Sequence, residues 1–184
     1  RPHQHGKLLP PIEGNSYLGK RVVFDDGKIN LVPAFVSTLS GQRLDDCFAN
    51  AEEERQRFKL ITRRERFTHN SWAHNDPAFV KGKRHTNYLY MHPEDAAQLL
   101  IEDGGFARVS SAVGSVDVPI STTDDMMLGT VALPHGWGHA LAVGLSVASK
   151  TDGVNANLLA SDGPGSIEPL SGMAKFNGIS VAII

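Results

Sequence analysis

Two stretches of this 184-residue sequence gather side chains that could do chemistry. The first is TRRERFTHNSWAHN, residues Thr62 to Asn75. It sets Arg63, Arg64 and Arg66 just before His69, Asn70, Ser71 and Trp72, with almost no aliphatic residue among them. Lys81, Lys83 and Arg84 extend the positive charge, and only Glu65 and Asp76 oppose it. A guanidinium can grip an anion through two hydrogen bonds at once. Amide and hydroxyl groups read the edge of a heterocycle, and an indole packs on its face. Charge alone would equally describe a solvated surface loop. The amide, imidazole and indole groups beside it tilt the reading toward a large anionic ligand such as a pyrophosphate joined to a heterocycle.

The second stretch is GTVALPHGWGH, Gly129 to His139. His135 and His139 stand four apart, a spacing that two metal ligands could use on a helix. Pro134, Gly136 and Gly138 argue against a helix there, and no glutamate follows the first histidine as it would in a zinc-protease signature. The glycines instead let backbone approach something closely. A third stretch, Gly153 to Ile179, is rich in asparagine, glycine and serine and reads as loops that make hydrogen bonds. Two Gly-Ser pairs, Gly114-Ser115 and Gly165-Ser166, have the chemistry to self-cleave to a pyruvoyl group, but the dipeptide is common. There is no nucleophilic triad, no glycine-rich phosphate loop and no distinctive pair of carboxylates.

These loops need a scaffold. Residues 1–41 are proline- and glycine-rich and read as an extended lead-in. Within them RVVFDDGKINL reads as a hairpin turning at Asp26-Gly27. Leu44, Cys47, Phe48 and Ala51 recur at helical spacing, which predicts a helix from about Leu44 to Gln56 with those residues buried and Cys47 in a core. From Phe58 onward the pattern is short strands and turns. FKLIT, NYLYM, FARVSS, SVDVPIS, TVALP and GISVAI are strands, with FARVSS and SVDVPIS a hairpin around Val113-Gly114. Pro119 cannot donate to a ladder and predicts an edge or a bulge. HPEDAAQLLIEDGG is a short helix, Pro93 to Leu100, with proline at its first position and acids in its first turn. The region from Arg63 to Thr86 lacks periodicity, and a connection that long in a compact domain is usually functional or disordered. Six short strands with long loops predict a small closed β-barrel over 57–184, preceded by a lead-in segment over 1–56.

Composition narrows the function. With 41% hydrophobic residues the chain can build a real core. A formal net charge of −2 argues against a general nucleic-acid binder or a polybasic membrane protein. No apolar run is long enough for a membrane span, and no signal peptide is visible. The single cysteine, Cys47, excludes an internal disulfide and a cysteine-rich metal site within these residues, and it fits a reducing compartment. The expectation is a cytoplasmic protein, with periplasmic export of a parent enzyme as the alternative. The sequence begins at Arg1, which suits a mature product or a piece of something longer.

The stretches LITRRERFTHNSWAHN, YLYMHPEDAAQLLIEDGG, VSSAVGSVDVPISTTDDMMLGTVALPHGWGH, GVNANLL and PLSGMAKFNGISVAI lie in one collinear order over most of Leu60 to Ile183. In that order they resemble the C-terminal molybdopterin-dinucleotide-binding domain of the dimethyl sulfoxide reductase superfamily, which includes formate dehydrogenases and nitrate reductases. The resemblance implies a mainly β fold, a double-psi β-barrel, and loops closing over a bis-(molybdopterin guanine dinucleotide) cofactor with molybdenum or tungsten. It implies that Arg64, His69, Asn70, Ser71 and Trp72 lie along the dinucleotide. His135, Gly136 and Asn157 match positions lining the cofactor, as do Lys175, Phe176 and Asn177 ahead of the last strand. Many members open the first motif with Thr-Gly-Arg, where this chain has Thr62-Arg63-Arg64. In the family the metal ligand and the usual iron–sulfur cysteines belong to upstream domains. The resemblance therefore implies one cofactor-capping domain of a larger oxidoreductase, inactive by itself. Its partners would be upstream domains of the same polypeptide, an iron–sulfur domain among them. Two other readings use the same barrel: a pyruvoyl-dependent decarboxylase and a protein-interaction module.

Overall fold

The computed structural model describes residues 3–14, 24–50, 54 and 57–184. The chain divides into two units, Arg1–Asp46 and Cys47–Ile184. The second holds six strands: β1 (Phe58–Arg63), β2 (Leu89–Met91), β3 (Phe106–Ser110), β4 (Ser115–Thr122), β5 (Thr130–Pro134) and β6 (Ile179–Ile183). They close into a barrel in the order β1-β5-β2-β4-β3-β6. The β1–β5 and β2–β4 pairs are parallel and the other four are antiparallel. The fold is thus mainly β, a closed six-stranded barrel of the double-psi kind.

Alternation along the strands builds the core. In β4 the side chains of Val116, Val118 and Ile120 are buried while Ser115 and Asp117 are exposed. Leu60, Leu89, Met91, Val109, Val131, Leu133 and Val181 complete the interior. Burying each such side chain contributes about 1.5–3 kcal/mol. Pro119 is not on an edge, because the closed barrel has none. It is the last β4 residue paired with β3, opposite Phe106, and the β4 ladder with β2 begins one residue later at Ile120. The missing N–H falls where one ladder hands over to the other.

The helix α2 (Pro93–Gln98) starts as its sequence predicts. Pro93 opens it, the His92 ring accepts from the Glu94 N–H at 3.2 Å, and Glu94 and Asp95 occupy its first turn. The longer helix differs from expectation. α1 runs Ala34–Asn50, so it begins ten residues before the predicted start and includes part of the expected extended lead-in. Leu44 and Phe48, predicted to be buried, are 60% and 79% exposed. The helical spacing is real, but Leu44 and Phe48 stay exposed to solvent. The side chain of Cys47 and most of 51–56 lie outside the described residues. The turn at Asp26-Gly27 forms, with the Gly27 N–H bonded to the Phe24 carbonyl at 2.9 Å. No strand follows it. The Asp26 and Asn30 side chains instead accept from the Lys28 and Val32 N–H groups, which bonds the backbone locally rather than in a ladder. The other arm of that expected hairpin, 21–23, lies outside the described residues.

Candidate functional site

Parallel pairing of β1 with β5 sets Arg63 opposite Pro134, so the chain leaves both strands at the same rim of the barrel. Because β6 runs antiparallel to β1, the residues leading into it arrive at that rim too. These three segments and the turn that holds Asn157 meet there. They enclose a cleft of about 650 Å³ lined by Arg64, His135, Gly136, Asn157, Phe176 and Asn177, with Thr62, Met173 and Ala174. Six of the eleven residues singled out from the sequence share this one cleft.

The first and second stretches also hold each other. His69 and Asn70 both take left-handed backbone, with φ of 45° and 64°. This tight turn brings the Asn70 carbonyl against Gly136, where a Cβ would lie 2.3 Å from that oxygen. The Asn70 side-chain oxygen meets His135 Nε2 at 3.1 Å. Asn70 thus acts as a brace for His135, and with Nε2–H donating, His135 keeps Nδ1 as an acceptor. Behind this contact lies a buried cluster that the sequence reading passed over. The His74 ring packs at a tilt of 38° against Trp137, 4.2 Å between centroids, and its Nδ1 is 2.8 Å from His139 Nε2. His139 Nε2 is also 2.8 Å from the Gly136 carbonyl, and Trp137 Nε1 donates to Glu65 at 3.1 Å. Gly153 leaves room for the Trp137 ring, which a Cβ there would meet at 2.3 Å. Buried Asn87 ties the second stretch to the third. Its Nδ2 donates to the Pro134 and Val154 carbonyls at 2.9 and 3.0 Å, and its Oδ1 accepts from the Val154 N–H at 2.9 Å.

Burial holds His74 down to a pKa of about 4, from 6.5, with the neighbouring His139 adding to the effect and the Gly136 carbonyl opposing it. Between those values the unfolded chain takes up a proton that the folded chain refuses, so stability rises with pH across this window. A drop of roughly 3 kcal/mol is expected as pH falls from about 6.5 to about 4. His74→Gln should flatten that part of the curve in denaturant titrations at a series of pH values. An unchanged slope in the variant would assign the acid sensitivity to other groups.

The remaining predicted residues are placed elsewhere. Trp72 is 84% exposed, and its ring meets only the edge of His69. His69, Ser71 and Trp72 do not line the cleft. Lys175 donates to the Gly165 carbonyl at 2.7 Å and lines a smaller neighbouring cleft of about 380 Å³, which it shares with Asn177. The basic run does not act as one unit. Strand alternation at the end of β1 sends Arg63 over the Tyr90 ring, 4.1 Å from its centroid. Arg63, Arg66, Lys83 and Arg84 line a separate cleft of about 440 Å³, and Arg64 borders both. His135 and His139 are turned to different partners. Among the described residues no group of three histidine, cysteine or acidic side chains is placed to hold a metal.

The residues around the larger cleft suit an anionic heterocyclic ligand. Arg64 forms no ion pair among the described residues, Gly136 allows close backbone approach, and Asn157 and His135 can meet a heterocycle's edge. A model of the family described as "Molydopterin dinucleotide binding domain" matches residues 58–180. The chain belongs to that family. This molybdopterin-dinucleotide-binding domain is also 33% identical over 97 residues to a trimethylamine-N-oxide reductase of Haemophilus influenzae, covering 52% of this chain and 11% of that protein. Its fold resembles acetylene hydratase from Pelobacter acetylenicus, with a TM-score of 0.59 and 20% identity over 74% of this chain and 19% of the other. The domain therefore spans only a small part of either relative's length. The cofactor-binding role is favoured over a stand-alone decarboxylase or an interaction module. Among the described residues no helix is long and apolar enough to cross a membrane.

Proposed function

We propose that this domain caps a molybdopterin guanine dinucleotide within a larger cytoplasmic oxidoreductase, as one of the two dinucleotides of a bis-cofactor. The observation that carries this reading is the 650 Å³ cleft, which draws Arg64, His135, Gly136, Asn157, Phe176 and Asn177 from separate loops onto one rim. When bound, the group supplies a redox-active molybdenum or tungsten centre. Upstream domains of the same polypeptide, an iron–sulfur domain among them, would supply the metal ligand and the route by which electrons are exchanged with it. Arg64 binds the anionic part through its guanidinium. His135, held by Asn70, offers a fixed acceptor, and Asn157 offers both a donor and an acceptor to a heterocycle's edge. Phe176 adds apolar contact and helps to exclude water. His69, Ser71, Trp72 and Lys175 lie outside the cleft and on this reading would meet only parts of the dinucleotide that extend beyond it.

Arg64→Ala in the parent enzyme tests this. A charge-assisted hydrogen bond is worth about 1.5–3 kcal/mol, so cofactor retention should weaken by roughly tenfold or more. Arg64→Lys should restore only part of it, because an ammonium lacks the planar fork. Released pterin and metal are quantified per polypeptide after dialysis. Full occupancy in a folded Arg64→Ala enzyme would sink the reading.

A further inference from the structure

The antiparallel ladder between β6 and β1 pairs Val181 with Phe58, Ser180 with Lys59 and Ile179 with Leu60. Just before β6 the backbone turns at Gly178, whose φ of +80° suits glycine and whose N–H donates to the Leu60 carbonyl at 2.9 Å. The next rung, opposite Thr62, is made by a side chain. Asn177 Oδ1 accepts from the Thr62 N–H at 2.8 Å and from the Thr62 hydroxyl at 3.2 Å. A backbone N–H can only donate, so the amide atom facing it must be the oxygen. That oxygen is occupied twice. The amide –NH2 makes no hydrogen bond among the described residues, and Thr62, Arg64 and Asn177 line the same cleft.

Asn177 is exposed, so its –NH2 is open to solvent and available to a ligand in the cleft. Here the group stands in a wall with Arg64, which also offers only donors, and with Thr62, whose hydroxyl proton is already given to the Asn177 oxygen. The geometry points to Asn177 as a specificity-determining residue whose locked amide makes the Thr62–Arg64–Asn177 wall a receptor for acceptor atoms, the oxygens of a phosphate ester. This rests on the cofactor reading above and deepens it: the wall meets the pyrophosphate, and donor-bearing heterocycle edges are turned to His135 and Asn157. A ligand edge rich in N–H groups would leave the Asn177 donors facing other donors, a mismatch that a freely rotating amide could relieve and this one cannot.

Asn177→Asp isolates the claim in the parent enzyme. The carboxylate has the same shape and still accepts both bonds from Thr62, so the end of the ladder is kept. It replaces two donors with a negatively charged acceptor facing the ligand anion. Pterin and guanine nucleotide retained per polypeptide after extended dialysis should fall by about tenfold or more, with the thermal midpoint of the cofactor-free protein unchanged. Loss of cofactor in Arg64→Ala with full retention in Asn177→Asp would overturn the donor assignment and leave the cofactor reading standing. Full retention in both would remove the cofactor reading itself. A second measurement does not depend on either variant folding. In a structure of the parent enzyme with cofactor, a phosphate oxygen should lie about 3 Å from Asn177 Nδ2. A ligand N–H, a carbon or solvent alone at that position would refute the assignment.

Discussion

Gly136→Ala is expected to break the contact between the first two loops. The residue's φ is +91°, and an added Cβ would lie 2.3 Å from the Asn70 carbonyl oxygen and 2.6 Å from its carbon. These are backbone atoms, which cannot swing aside as a flexible side-chain end could. Either position 136 leaves its left-handed conformation, which would misalign His135 and the His139–Gly136 hydrogen bond, or the Asn70–Ser71 backbone must move. Strain and overpacking together put the loss on the order of 3 kcal/mol. Cofactor retention in the parent enzyme should fall with it, because both walls of the cleft shift. Gly163→Ala is the control: its φ is −68°, and an added Cβ would meet nothing closer than 3.9 Å. It should change stability by no more than about 0.5 kcal/mol. Chemical denaturation of the two variants side by side decides the matter, and equal stabilities would show that the loops have slack.

Asn87→Leu should be at least as damaging. Its three hydrogen bonds serve the Pro134 carbonyl and both polar backbone groups of Val154, and the residue is fully buried. A leucine of similar volume leaves three groups without partners. At about 1–3 kcal/mol for each unsatisfied buried group, the loss should be roughly 3 kcal/mol or more. Asn87→Asp is a sharper probe, since it sets a carboxylate against two carbonyl oxygens. Burial and those oxygens raise its pKa. The folded aspartate variant then holds a proton that its unfolded form has released, and it should regain stability as pH is lowered from neutral toward the ordinary carboxylate range. The leucine variant should show no such recovery. If both variants unfold at the wild-type denaturant concentration, Asn87 is not the tie between the second and third loops.

The barrel was legible from the alternation of Val116, Val118 and Ile120, the proline-started helix at Pro93 and the punctuating turns, because each is set by neighbours within a few residues. The burial expected for Leu44 and Phe48 failed for the converse reason. Helical spacing shows that a face exists and says nothing of what covers it. The cleft was reached through collinear motifs, and the chemistry of Arg64 and His135 was visible in their residue types. Splitting the basic run into two clefts was not visible, since it depends on which way β1 alternates where it ends. Asn87 and His74 were hidden more deeply. Asn87 reads as the start of a strand, and His74 as one polar residue among many in a polar loop. Their partners, Pro134, Val154 and His139, lie 47 to 67 positions away, and no local pattern encodes such a distance.

The strand order carries a consequence for how the molecule is made. β6 is the last of the six strands in sequence, yet it is the piece that joins β1 to β3. Until it leaves the ribosome, β1 has no partner on one side and neither does β3, and each presents a row of free N–H and C=O groups. The parallel β1–β5 pair imposes a similar wait, because Lys59 must find Thr130 across a long loop of nascent chain. Pairings at such separation are slow to form and leave edges open to wrong partners in the meantime. Synthesis of this domain therefore includes an interval in which all but one of the strands exist and the barrel cannot close, and a chaperone shielding β1 and β3 would act in that interval.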